Sequence, residues 1–314
     1  MAGRAADGVI DVLGLGIVTV DDLLYVDRYP EPEEKVRVRS RIRQAGGVTG
    51  TALVAAARMG ARCGFAGQLS DDPLSDYIRE VFLRERIDLS AVDSRYSRLP
   101  IHSTIVVDES AGTRTILFEK DDSVYLGEDW PLEEVLRSTR VLFLDHDFSE
   151  RGERAARIAR GAGIPVVADF ERDEAPRFPE LLELADHLIL NVRFAGRITG
   201  KNDPKQAAES LWTANRSAVV VTLGDGGYWW MDSATAPEAR WAPAFAVEAV
   251  DTTGCGDVFH GAYAACLARG ETIEDSLRMA AGAAALKARV RGGQAGAPSR
   301  AEVEAFLRSV DGPR

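Results

Sequence analysis

The sequence predicts an α/β protein in which a mostly parallel central sheet is covered by helices and a smaller β-sheet stands off the main body. Three observations carry that expectation. After Trp130, strand-like runs (VLFLDH, IPVVADF, HLILN, AVVVTLG) alternate with helical patterns near 150–162, 178–186 and 204–213, the rhythm of a parallel sheet with helical crossovers. Before Trp130, short β patterns predominate. The 314 residues, 46% hydrophobic and 28% charged, suit one large core with an appendage.

Taken in order, VIDVLGLGIVTV is rich in β-branched residues and reads as one buried strand. In KVRVRSRIRQ, Val36, Val38, Ser40 and Ile42 alternate with Lys35, Arg37, Arg39, Arg41 and Arg43, the period of a strand with one solvated face. TALVAAARMGA, 51–61, reads as a helix that Gly60 stops. CGFAGQL reads as a strand, and STIVVD and RTILFE as a hairpin across ESAGT. In the last third AFAVEAV reads as a strand, with helices at 255–269, 273–289 and 300–309. The second of these gathers Ile273, Leu277, Ala280, Ala281, Ala284 and Ala288 on one packing face.

A net charge of -11 argues against nucleic acid or an anionic membrane as the main partner. Three cysteines, Cys63, Cys255 and Cys266, have neither the number nor the spacing of a disulfide framework or a zinc site. MAGRAADG lacks a leader pattern, and no run approaches the ~18 uncharged apolar residues of a membrane span. These features read as a cytoplasmic protein.

The segment with chemistry in it is AVDTTGCGDVFHGAY, where a strand end passes through Gly254 and Gly256 into an apolar helix. N–H groups at a helix start bind anions, and glycines let a phosphate approach the backbone. Asp257 falls in the first turn, where the helix dipole favours the carboxylate that accepts a proton from an attacking hydroxyl. The plainer alternative makes Asp257 a favourable first-turn acid and the glycines turn formers. Thr252, Thr253 and Asp251 make DTTGCGD more specific than a lone glycine pair. Cys255, beside Gly254 and Gly256 at the helix start, is a position where a thiol pKa falls. GLGIVT, 14–19, begins like a dinucleotide fingerprint but lacks the third glycine and the following helix, which sets a nicotinamide oxidoreductase aside.

DTTGCGD followed by a small-residue helix resembles the C-terminal signature of the ribokinase/PfkB family of carbohydrate kinases, with Cys255 in the usual Ala position. GGVTGTALVAAARMGARCGFAGQLSDD, 46–72, is similar to the N-terminal signature. DTTGCGDVFHG and ALKARVRGGQAG look most like the ketohexokinase and sulfofructose kinase members. The resemblance implies a ribokinase-like three-layer α/β/α sandwich, a single kinase domain over 1–314. A β-lid from about 18–46 and 99–120 would close over the sugar and pair two subunits as a homodimer. It implies transfer of the γ-phosphoryl of Mg·ATP to a monosaccharide hydroxyl of ketohexose or pentose type. Asp257 would be the base, with Gly254, Cys255 and Gly256 around the transferring group. Asp21, Gly46, Gly47 and Thr51 would meet the sugar, Thr51 standing where the family usually has Asn.

On the nucleotide side the resemblance points to Thr222, Gly224 and Gly227 in TLGDGG, for which a glycine hairpin turn is the plainer reading. It also points to Asn191 of an Asn-x-x-Glu motif whose Glu is replaced by Phe194. Some members bind K⁺, here near Asp251 and Thr253. A nucleoside or sugar-acid kinase and a non-catalytic sugar-binding relative are the alternatives. Lys35 to Arg43 would serve either as an aggregation-resistant edge strand or for an anionic ligand.

Overall fold

The computed structural model describes residues 9–93, 99–120, 127, 129–147, 149–175 and 177–311; MAGRAADG lies outside them. VIDVLGLGIVTV is not one strand. It breaks into β1 (Ile10–Leu15) and β2 (Thr19–Val26), which belong to different sheets. At the break the Ile17 N–H turns to the Asp145 carboxylate, and residue 16 must be glycine because a Cβ there would fall on that carboxylate and the Thr49 hydroxyl. β3 (Val38–Gly46) returns antiparallel to β2. Then comes α1 (Val48–Arg58), with Gly60 beyond its end at φ 90°, the left-handed position glycine takes after a helix. β4 (Cys63–Phe65) precedes α2 (Pro73–Arg84), a helix the sequence pattern did not reveal. Asp72 caps α2 by accepting from the N–H groups of Leu74 and Ser75. β5 (Ile101–Asp108) and β6 (Thr113–Glu119) form the expected hairpin.

The alternating half follows as α3 (Glu133–Arg137), β7 (Thr139–Asp145), α4 (Ser149–Gly161), β8 (Val166–Asp169) and α5 (Phe178–Leu184). It continues through β9 (His187–Asn191), α6 (Val192–Thr199), α7 (Pro204–Leu211) and β10 (Ala218–Thr222). A one-turn 3-10 segment, Gly224–Gly226, leads into β11 (Tyr228–Asp232), and β12 (Arg240–Ala242) pairs with β11. The strand expected at AFAVEAV is absent. Pro243 follows β12 and cannot donate to a ladder. The segment is instead held by Phe245 against Phe306, ring centroids 5.5 Å apart, and by the Val250 N–H on the Ala288 carbonyl at 2.7 Å. α8 (Cys255–Ala268), α9 (Ile273–Ala288) and α10 (Arg300–Asp311) end the chain.

The main sheet runs β12-β11-β10-β9-β8-β7-β1-β4, parallel from β10 to β4; the second runs β3-β2-β5-β6. Successive residues of the parallel strands feed opposite cores. Val12, Val141 and Phe143 pack with α1, α8 and α9, while Leu13, Leu142 and Leu144 pack with residues of α4, α5 and α7. The result is three layers. β1 lies between β4 and β7, so the chain reverses its direction of winding there, and a crevice opens beyond the strand ends at such a point. α1 and α8 meet closely, since a Cβ on Gly261 would fall on the Ala52 carbonyl oxygen. The starts of these two helices frame the crevice.

Candidate active site

The C-terminal ends of β7 and β8 carry Asp145 and Asp169, paired in register. Asp145 is fully buried and collects three donors. Its Oδ2 accepts from Ile17 N at 2.6 Å and Thr49 Oγ1 at 2.8 Å, and its Oδ1 from Asp147 N at 2.8 Å. One carboxyl thus ties the β1–β2 link to the start of α1 and the exit of β7. Burial, with the nearby Asp147 charge, pushes it up to about 7. Lys120, just beyond β6, reaches Asp147 at 3.0 Å, joining the second sheet to the body. A pocket beside this pair is lined by Gly16, Ile17, Gln68, Ile101 and Asp147.

α8 opens at Gly254, φ 75°, with no side chain capping its first N–H groups. Asp257 is half-buried in the first turn. The dipole does not dominate its titration. Burial raises its pKa well above the usual range, helped by the charges of Asp169, Glu171 and Asp145, while His260 pulls it down. His260, one turn further along, is almost wholly buried. Its Nδ1 lies 2.7 Å from the Gly256 carbonyl oxygen and 3.1 Å from Asp169 Oδ2, and its Nε2 lies 2.9 Å from the Ile189 carbonyl oxygen. Asp257 and His260 therefore influence each other's titration, and the Asp169 charge acts on Asp257. Cys255 also departs from expectation. Burial pushes its thiol up to about 11, with the Asp251 and Asp257 charges adding to the rise and Lys287 opposing it.

On the opposite wall Asp21 is not a turn acid. It lies within β2, buried, between Gln44 of β3 and Ser103 of β5. Burial raises its pKa against hydrogen bonds with Thr19 and Ser103. A Cβ on Gly46 would displace its carboxylate, and one on Gly47, at φ 85°, would lie 2.5 Å from the Ile17 carbonyl oxygen. Thr51 is buried with its methyl 3.5 Å from the Cβ that Gly254 lacks, so α1 brings this wall to the start of α8. Gln44 completes the ring, its Oε1 accepting from Gly293 N at 2.8 Å.

A family model of the pfkB family carbohydrate kinases matches residues 11–300. The chain belongs to this family. Ribokinase from Haemophilus influenzae is 26% identical over 304 residues, 93% of this chain and 97% of that protein. A crystal structure from Agrobacterium tumefaciens has a TM-score of 0.88 at 29% identity, covering 98% of this chain and 100% of that one. Arabidopsis thaliana ribokinase, solved complexed with ribose and ATP, has a TM-score of 0.82 at 24% identity over 96% and 99% of the two chains. The fold is thus ribokinase-like, and the protein is a phosphotransferase of the carbohydrate kinase class.

In this PfkB kinase the residues expected on the nucleotide side lie along β9 and β10. Asn191 and Thr222 are register partners. Asn191 Oδ1 caps α6 by accepting from Phe194 N at 2.9 Å, and Thr222 Oγ1 donates to the Leu190 carbonyl at 3.4 Å. Gly227, φ 86°, is required by packing, because a Cβ there would strike the Ala242 carbonyl oxygen; Gly224, φ 64°, faces open space. The oxygens near Asp251 and Thr253 do not fit a potassium ion. Lys287 Nζ already holds the Asp251 and Val290 carbonyls at 2.7 and 3.2 Å, and the Asp251 carboxylate accepts from Thr253 N and Gly292 N at 2.8 and 2.9 Å.

Asp145, Asp147, Asp169, Gln44, His260 and Lys287 were missed in the sequence. Three of them carried a signal. An acid at the C-terminal end of a parallel strand, as in VLFLDH and IPVVADF, points into the crevice of an open α/β sheet. His260 stands three residues after Asp257, on the same helical face.

Proposed function

We propose that this kinase transfers the γ-phosphoryl of ATP, carried with magnesium, to a hydroxyl of a pentose or ketohexose, with Asp257 as general base. The observation that carries the reading is the start of α8, where N–H groups without a side-chain cap and an acid in the first turn occupy one place. Asp257 takes the hydroxyl proton as the acceptor oxygen attacks. The N–H groups of Gly254, Gly256 and Asp257 meet the charge spreading over the transferred group, a contribution of ~3–4 kcal/mol for one such donor, while the Cys255 N–H is held by the Thr252 carbonyl. Across the crevice Asp21, with Gly46 and Gly47 clearing space for a ring against the backbone, orients the sugar; Thr51 abuts Gly254. Asn191, Thr222 and Gly224 line the nucleotide side. Bound magnesium neutralises phosphate charge. Among the described residues no group of three His, Cys, Asp or Glu side chains forms a metal cage, so the ion would be held largely by the phosphates and water.

The second sheet serves in this reading as a lid that excludes water from the transfer. β6 presents Ile116, Leu117 and Phe118, each about half exposed, an apolar row suited to pairing two lids in a homodimer. Of the basic stripe, Arg43 pairs with Asp22 at 2.6 Å and Arg39 pairs with Asp27, as expected of a charged edge strand.

The test is a coupled ADP-release assay over ribose, ketohexoses, ketodeoxy sugar acids and adenosine. Turnover is expected with a pentose or a ketohexose. Turnover confined to a sugar acid or to adenosine would move the substrate class. ADP release no faster with any acceptor than without one would favour the sugar-binding relative.

A further inference from the structure

Lys287 has no exposed surface, although it lies in the alanine-rich last turns of α9. Burying an ammonium costs several kcal/mol unless it is well paired. Its partners are two backbone carbonyls, those of Asp251 and Val290. They belong to the two loops that frame the start of α8. The same loops are tied by the Asp251 carboxylate on Gly292 N, and by the N–H groups of Val250 and Asp251 on the Ala288 carbonyl at 2.7 and 3.0 Å. Together these bonds set Gly293 against Gly254, whose missing Cβ would lie 3.1 Å from the Gly293 Cα.

We propose that Lys287 is a built-in monovalent cation, holding the two loops around the start of α8 in place of an alkali-metal ion, so that phosphoryl transfer needs no potassium. Backbone carbonyl dipoles that replace the hydration shell of a potassium ion serve an ammonium equally, and the ammonium adds directed donors. Tethered to α9, this charge cannot be diluted away. Its field reaches Cys255, Asp251 and Asp257, so it also helps to keep an anion at the start of α8. Burial lowers its pKa, and those three groups counter the lowering while Arg114 adds to it.

The inference rests on the phosphoryl-transfer reading of this segment, so the experiment includes readouts without turnover. Wild-type kcat/KM, ADP binding by calorimetry and the thermal midpoint are measured in chlorides of potassium, sodium, ammonium and tetramethylammonium at equal ionic strength. All three are expected to vary less than about twofold, or by no more than a degree or two in midpoint. In Lys287→Met, ADP affinity and kcat/KM should fall about tenfold to a hundredfold in tetramethylammonium, the scale of a lost charged hydrogen bond. Potassium, ammonium or ethylamine should restore most of the loss. Activation of the wild type several-fold by potassium would overturn the proposal without any variant. So would a folded Lys287→Met that binds ADP normally in every salt, or one that no cation rescues. If ADP binds in the expected cation pattern but no sugar is phosphorylated, the function reading fails and the cation assignment stands.

Discussion

α6 and α8 both begin at the C-terminal edge of the main sheet, and they differ in what their first N–H groups do. α6 is closed by its own chain, since Asn191 turns its side chain back onto Phe194 N. α8 has no such closure, and where a capping side chain would stand it has left-handed Gly254. α1 behaves like α8, starting after Gly47 without a side-chain cap, whereas α2, α7 and α9 are capped by Asp72, Asp203 and Thr272. Both helices whose starts frame the crevice have opening N–H groups free of side-chain caps, a feature they share with the short helices α3 and α5. A cap stabilises a helix by ~1 kcal/mol; at α8 its absence leaves the opening N–H groups available to the anion of the proposed reaction.

Substitutions on the two sides should separate chemistry from stability. Asp257→Asn should lower kcat by about 10²- to 10⁴-fold, the scale of a positioned base, with the thermal midpoint little changed; single-turnover phosphoryl transfer reads this directly. Asp21→Ala should raise KM for the sugar about tenfold to a hundredfold through loss of charged hydrogen bonds, with a smaller effect on kcat. A fall in kcat alone would move Asp21 from the sugar to the structure of β2. Asn191→Ala should cost ~1 kcal/mol in a urea titration through loss of the α6 cap. Because Asn191 is placed on the nucleotide side, nucleotide KM should also rise about tenfold, the scale of a lost hydrogen bond to a charged group; a change of no more than about twofold would leave capping as its whole role. Cys255→Ala should leave kcat within about twofold. With the thiol raised to about 11, alkylation by iodoacetamide at neutral pH should be slow, because the thiolate is the reactive form.

The order of the βα units was legible because period and length differ between buried strands and amphipathic helices. VIDVLGLGIVTV failed because one apolar run serves two sheets, and the break at Gly16 depends on Asp145, far away in sequence. AFAVEAV failed because alternation was present without a neighbouring strand to pair with. At the site, DTTGCGD located the anion-binding turn from local residues alone. The titration of Asp257 and Cys255 was not local. The helix start predicts lowered pKa values, but burial acts the other way on both, joined at Cys255 by the carboxylates of Asp251 and Asp257 and at Asp257 by those of β7 and β8, groups that only the fold brings together. Lys287 was invisible for a similar reason, since a lysine in AAALKA reads as solvent-facing until its carbonyl partners are known.

Asp257 is proposed to work as a base whose affinity for protons is raised first by burial and then by its acidic neighbours, and moderated by His260. The pH profile of kcat/KM for the wild type and for His260→Asn tests it most directly. Asp257 acts as the carboxylate, so activity is held above its pKa and lost as pH falls through it. Because the pKa is raised, the acid limb should lie well above the ~4 of an ordinary aspartate. Removing His260, which lowers that pKa, should move the limb to higher pH. Superimposable profiles, or an acid limb near 4 in the wild type, would contradict the claim.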